Sequence, residues 1–133
     1  MSKIKLFEDQ RIDQSKIEDG VWVDHPETGD SFRIRKHLCP QHLAAYLEAA
    51  QDYQDKNGKD THSTPEGEIH CEAVGLASGL IVDWKLVNYP DEEYDAAFMA
   101  SVLADPEKTE VLTWLRISSS GRDRFRPEEA GEL

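Results

Sequence analysis

Long apolar runs are missing from this 133-residue chain. No stretch approaches the roughly eighteen consecutive apolar residues that a membrane-spanning helix needs, so none is expected. The opening segment, MSKIKLFEDQ, has no apolar signal core, and a secretory leader is not expected either. Cysteine is scarce: Cys39 and Cys71 are the only two, at an unremarkable spacing that fits a reducing compartment better than a disulfide framework. Positive charge is also scarce. Fifteen Lys and Arg face 27 Asp and Glu, giving a formal charge of −12 and a pI near 4.7. Such a field repels nucleic acid and anionic membrane, so neither is an expected partner. The sequence also lacks a P-loop, a dinucleotide fingerprint, HExxH, a nucleophile elbow and any CxxC.

What is present suits one soluble domain. The length allows a core, and the three Trp, four Phe and four Tyr are spread along the chain. Residues 1–20 are charged and weakly patterned, with Ile4, Leu6, Ile12 and Ile17 as the available anchors, and read as a short strand or a mobile arm. Val21 to His25 and Ser31 to Arg35 are strand-like and flank Pro26-Glu27-Thr28-Gly29, which is turn chemistry; Phe32 and Ile34 share one face of this β-hairpin. A lone hairpin is marginal in water, so it must pack on helices or join a larger sheet.

Helices follow. Pro40 opens one that runs to about Lys56, with Leu43, Tyr46, Leu47, Ala50 and Tyr53 as its apolar stripe and Asn57-Gly58 as its stop. The longest periodic run starts at Thr64, an N-cap with Pro65 after it, and reads as a central helix over 64–84. Ile69, Ala73, Leu76, Leu80 and Trp84 lie on one face of it. Gly75 and Gly79 lie on another, where a second element can come close. A helix over 91–104 is expected with Asp91 as its cap and Tyr94, Phe98 and Val102 at helical spacing. A last one over 106–118, capped by Asp105-Pro106, buries Val111, Leu112, Leu115 and Trp114. A short turn around Phe125 precedes a flexible acidic tail over 127–133. The prediction is a mostly α, α+β fold: a single domain over 1–126, in which the hairpin packs on about four helices.

Chemistry is hard to place. His37, Cys39 and His42, with His70-Cys71, have metal-ligand types, but Pro40 interrupts them and no zinc spacing results. Asp24, next to His25, and Asp83, beside Trp84, are carboxylates that nothing orders into a set of nucleophile, base and orienting group. The Gly75-x-x-x-Gly79 spacing fits close packing in a water-soluble helix that also carries Glu66, Glu68 and Glu72. No cofactor, metal or catalytic residue is expected. Charge is uneven: Arg116, Arg122, Arg124 and Arg126 meet only Asp123 between Trp114 and Arg126, and Arg33, Arg35 and Lys36 form a smaller basic group. Such asymmetry favours self-association or docking by complementary charge, although pairing with acids of the same chain explains it as well.

The order of these segments resembles a known family. Gly79-Leu80-Ile81-Val82-Asp83-Trp84-Lys85-Leu86-Val87 is similar to the segment in tail assembly chaperones of long-tailed bacteriophages where an apolar helix runs into Asp-Trp. Val102-Leu103-Ala104-Asp105-Pro106, the helix from Val111 to Ser120 with Phe125 beyond it, and the hairpin from Val21 to Arg35 resemble further parts of it. The likeness covers roughly residues 20–126; Asn88-Tyr89-Pro90 lacks the glycine usual in that loop. It implies a non-enzymatic protein of the host cell cytoplasm, absent from the mature virion. Such a protein binds the tape measure protein, keeps it soluble and recruits tail tube subunits. The expected contact residues are the aromatics least certain to be buried, Trp22, Tyr53, Tyr89, Trp114 and Phe125, with Arg122, Arg124 and Arg126 beside them. The alternatives are a minor structural or connector protein of the tail and, from another class, an acidic DNA-mimic inhibitor of a host enzyme.

Overall fold

The computed structural model describes Leu6 and residues 11–127. The fold is α+β and mostly helical, with one small antiparallel sheet. A short helix α1 (Gln14–Asp19) leads into β1 (Val21–Asp24) and β2 (Ser31–Ile34), then α2 (Pro40–Asn57), α3 (Pro65–Gly75), β3 (Ile81–Lys85), α4 (Ala96–Ala104) and α5 (Thr109–Ser120). Asp13 caps α1 by accepting the Ser15 N–H at 3.0 Å. The helix is fastened to the C-terminal turn Asp123–Phe125, because Asp13 N–H donates to Phe125 O and Lys16 Nζ donates to the Arg126 carbonyl. The arm expected over 1–20 is thus helical and docked from Asp13 onward. Residues 1–5 and 7–10, and the tail from residue 128, lie outside the described residues.

The hairpin forms as its alternation predicts: Val23 opposes Phe32, and Phe32 and Ile34 are buried together. Its sheet partner is the unexpected element. The helix read over 64–84 ends at Gly75, passes through a single π-turn at Leu76–Leu80, and becomes β3 alongside β2, in the order β1-β2-β3. A register shift between Arg33 and Ile34 places one extra residue in β3, so that Ile81 and Trp84 both face the core. This bulge explains the misreading. Two inward residues three apart, following Leu76 and Leu80, continue a helical period through a strand. Ile69 departs from the pattern too and is exposed at the start of the run.

The chain can change structure there because the freed carbonyls are met. Arg35 N–H donates to Leu80 O at 2.8 Å, Arg35 Nη1 to Gly79 O at 3.0 Å, and the Tyr94 hydroxyl to Ala77 O. That last bond also draws Tyr94 inward ahead of α4. The helix expected from Asp91 starts at Ala96 instead, with Asp95 as its cap, accepting the Phe98 N–H at 3.0 Å. The last helix is likewise displaced by a turn: Asp105 caps a 3-10 turn at Pro106–Lys108, and α5 continues from it to Ser120.

The main core joins Val23, Phe32 and Ile34 of the sheet to Leu76, Leu80, Met99, Leu103 and Leu115. A smaller one joins Ala49, Ala50 and Cys71. Between α2 and the central element the glycines bring backbones close. A Cβ on Gly75 would stand 3.2 Å from Tyr46 Cα, and one on Gly79 would stand 2.6 Å from Gln41 O and 2.7 Å from Ala45 Cβ. Neither Gln41 O nor the α2 backbone can move without shifting the helix. Gly79→Ala is therefore expected to destabilise the protein by about 2–3 kcal/mol, read as a lowered urea midpoint at constant m. An unchanged midpoint would show that the helices part at no cost.

Candidate protein-binding surface

The glycine contact decides which side of α2 faces inward. The small residues Ala49 and Ala50 and the ring of His42 are buried, and the larger leucines are turned out. Leu43 and Leu47 of the expected buried stripe are 44% and 66% exposed, which corrects that part of the reading. They sit one turn apart on the helix surface. Leu38, just before the helix, is 58% exposed and has a positive φ of 64°. A leucine in this left-handed conformation is strained by about 1–2 kcal/mol. It is held there from both sides: its N–H donates to His42 Nδ1 at 2.9 Å, and the neighbouring His37 N–H donates to Ser119 O at 2.9 Å.

Leu38 and Leu43 edge a groove of about 380 Å³, walled by them and Tyr46 on one side and by Glu68 and Glu72 of α3 on the other. Glu72 is paired with Arg116 at 2.5 Å. Burial pushes His42 down to about 4, and the nearby His37 adds to the shift. A neutral ring is what its bond to Leu38 requires, since Nδ1 must accept. Burial, then the charge of Arg116, lowers His37 as well.

A second groove of about 350 Å³ lies on the β3–α4 connection, lined by Trp84, Leu86, Tyr89, Glu92, Asp95 and Phe98. Trp84 forms its floor. The ring meets Tyr94 and Phe98 edge-on at 4.9 and 6.4 Å, and its Nε1–H donates to Glu92 O at 3.0 Å. A third hollow, about 320 Å³, opens between Ile69 and the α4–α5 turn at Pro106.

The residues expected to contact a partner do not gather in one place. Tyr89 is exposed and lines the second groove. Trp22 is 40% exposed on β1, with Lys85 Nζ 4.5 Å above its ring. Tyr53 is half-buried beside His70. Trp114 is half-buried edge-on to His25 and Phe32. Phe125 is a correction: it is fully buried and offers no contact surface, because the turn that carries it packs against α1. Arg122 is half-buried and Arg124 exposed, while Arg126 pairs with Asp123 at 3.2 Å. Among the described residues no three His, Cys, Asp or Glu side chains are grouped to hold a metal ion, and Cys39 and Cys71 are free thiols. No helix there is long and apolar enough to cross a membrane.

Leu38, Leu43, Leu47 and Phe98 were missing from the expected surface. The signal for α2 was available: a facing helix with glycines one turn apart accepts the alanine side of its neighbour, which leaves the leucine side outside. No protein-family model, curated protein or solved structure matches the chain.

The state of His42 predicts a pH dependence. Folded His42 binds its proton more weakly than the unfolded side chain, whose pKa is 6.5. Its contribution is complete above 6.5 and is lost as the pH falls toward 4, an amount of about 2–3 kcal/mol. His42→Leu removes an acceptor and should cost about 1–2 kcal/mol at pH 7, but its urea midpoint should fall less between pH 7 and 4 than that of the unaltered protein. Parallel curves would overturn the assignment.

Proposed function

We propose that this protein is a non-enzymatic tail assembly chaperone of a long-tailed bacteriophage. On this reading it acts in the host cell cytoplasm, binds the tape measure protein, keeps it soluble, recruits tail tube subunits, and is absent from the finished virion. The observation that carries the reading is the ridge of Leu38, Leu43 and Leu47, exposed on a chain of charge −12. A long amphipathic helix aggregates through its apolar stripe, and a holder must cover that stripe while remaining soluble. An aliphatic ridge beside a groove is the complementary shape for such a helix, with anchors at helical spacing, and the acidic surplus keeps the holder dispersed. The sequence likeness around Asp83-Trp84 supplies the biological setting.

The test is co-expression with the long helical protein encoded alongside it in the phage. Unaltered chain should raise the soluble yield of that protein and co-purify with it. Leu43→Glu with Leu47→Glu should reduce co-purification by about tenfold or more, with an unchanged circular dichroism spectrum because both side chains are exposed. Equal solubility without this chain, and no co-purification, would sink the proposal. Detection of the chain in purified mature virions would instead make it a structural component of the tail.

A further inference from the structure

The second groove has a chemistry that the ridge on α2 does not share. Tyr89 and Phe98 flank it at 62% and 57% exposure, and half-buried Leu86 lines it with them. A lone exposed aromatic is ordinary; two exposed aromatics and a leucine around a hollow floored by Trp84 are not. The charge around it is one-sided. From Leu86 to Ala104 the chain has four acids, Asp91, Glu92, Glu93 and Asp95, and no Lys, Arg or His. Glu92 and Asp95 line the groove itself. Lys85, the nearest cation in sequence, is directed instead to the Trp22 ring. Among the described residues, the ion pairs lie at Asp105, Glu72 and Asp123, and none involves these four acids.

We infer that this groove docks a basic segment of a partner protein, one in which an aliphatic or aromatic side chain is flanked by Lys or Arg. The apolar side chain enters between Tyr89 and Phe98 onto the Trp84 ring. The cations then meet Glu92 and its acidic neighbours and can lie over the aromatic faces, where a ring quadrupole attracts them. A second copy of this chain is a poorer occupant, because it carries the same net charge of −12 and several of its basic groups are committed internally. Arg116 holds Glu72, Arg126 holds Asp123, and Arg35 holds the carbonyls of Glu18 and Gly79. The inference stands apart from the ridge on α2 and does not rest on the chaperone reading.

The test is a titration of the isotope-labelled full chain, followed by NMR, with a short synthetic peptide of lysines and leucines. Two control peptides replace every lysine by glutamate or every leucine by serine. The lysine–leucine peptide should shift the Trp84 indole N–H and the amides of Tyr89 and Phe98, and neither control should. Tyr89→Ala with Phe98→Ala should weaken binding by about tenfold or more. Glu92→Gln with Glu93→Gln should weaken it and flatten its salt dependence. Equal binding of the serine peptide, shifts spread over the whole acidic surface, or undiminished binding by the double alanine variant would each overturn the proposal. So would a change in sedimentation of the free protein caused by Phe98→Ala, which would make the groove a contact between copies. None of these results touches Leu43 and Leu47, so failure here leaves the co-expression test of the chaperone reading intact.

Discussion

The close approach of Gly79 to α2 is the constraint from which the rest of this structure follows. At that point two backbones come nearer than any side chain permits, with the Gln41 carbonyl and Ala45 Cβ occupying the space a methyl group would need. Gly79 lies inside the π-turn through which the helix opens, and just beyond it the chain turns into β3. A helix end buried in this way leaves carbonyls that water cannot reach. Arg35 and Tyr94 meet them, and these two residues come from opposite flanks, the sheet and the entrance to α4. One junction therefore fixes three things: the position of α2, the third strand, and the course of the chain into α4.

The exposed apolar surfaces are consequences of the same junction. Because α2 must present its small side to the glycines, its leucines have nowhere to go but outward. Because Tyr94 is drawn in to Ala77 O, the residues just before it cannot coil into α4. They remain an acidic connection draped beside Trp84, with Tyr89 and Phe98 on its rim. Both grooves are thus paired with a packing requirement on the opposite side of the same element. Surfaces of this kind are held rigidly, which lowers the entropic cost of using them for recognition.

Electrostatics divides along the same lines. The basic residues are few, and several of them serve the fold: Arg35 and Lys36 reach backbone carbonyls, Lys16 ties α1 to the C-terminal turn, and Arg116 bridges to α3. What remains outward is mostly carboxylate. Arginines that look from the sequence like a docking patch are in part internal fasteners, and the exposed apolar side chains of the two grooves stand among acids.

Local signals are legible in the chain taken alone. Val21 to Ile34 declares its hairpin through alternation and a Pro-to-Gly turn. Thr64-Pro65 and Asp105-Pro106 mark helical starts, and Asn57-Gly58 marks a stop, because caps and turns are settled by atoms a few residues apart. Net charge and the want of long apolar runs are equally plain. The candidate surfaces are legible only through Tyr89, which lines the groove over Trp84, whereas Trp22 is exposed on β1 away from both. Tertiary structure alone decided the others. The strand from Ile81 to Lys85 keeps a helical spacing because a bulge turns Ile81 and Trp84 to the same side. Leu43 and Leu47 match a buried stripe until the glycines of a distant segment select the opposite face. Phe125 is an unremarkable aromatic near the end of the chain until Asp13 and Lys16 bring α1 to its turn. In each case the apolar period is real, but which side of it is covered depends on how near another backbone can come.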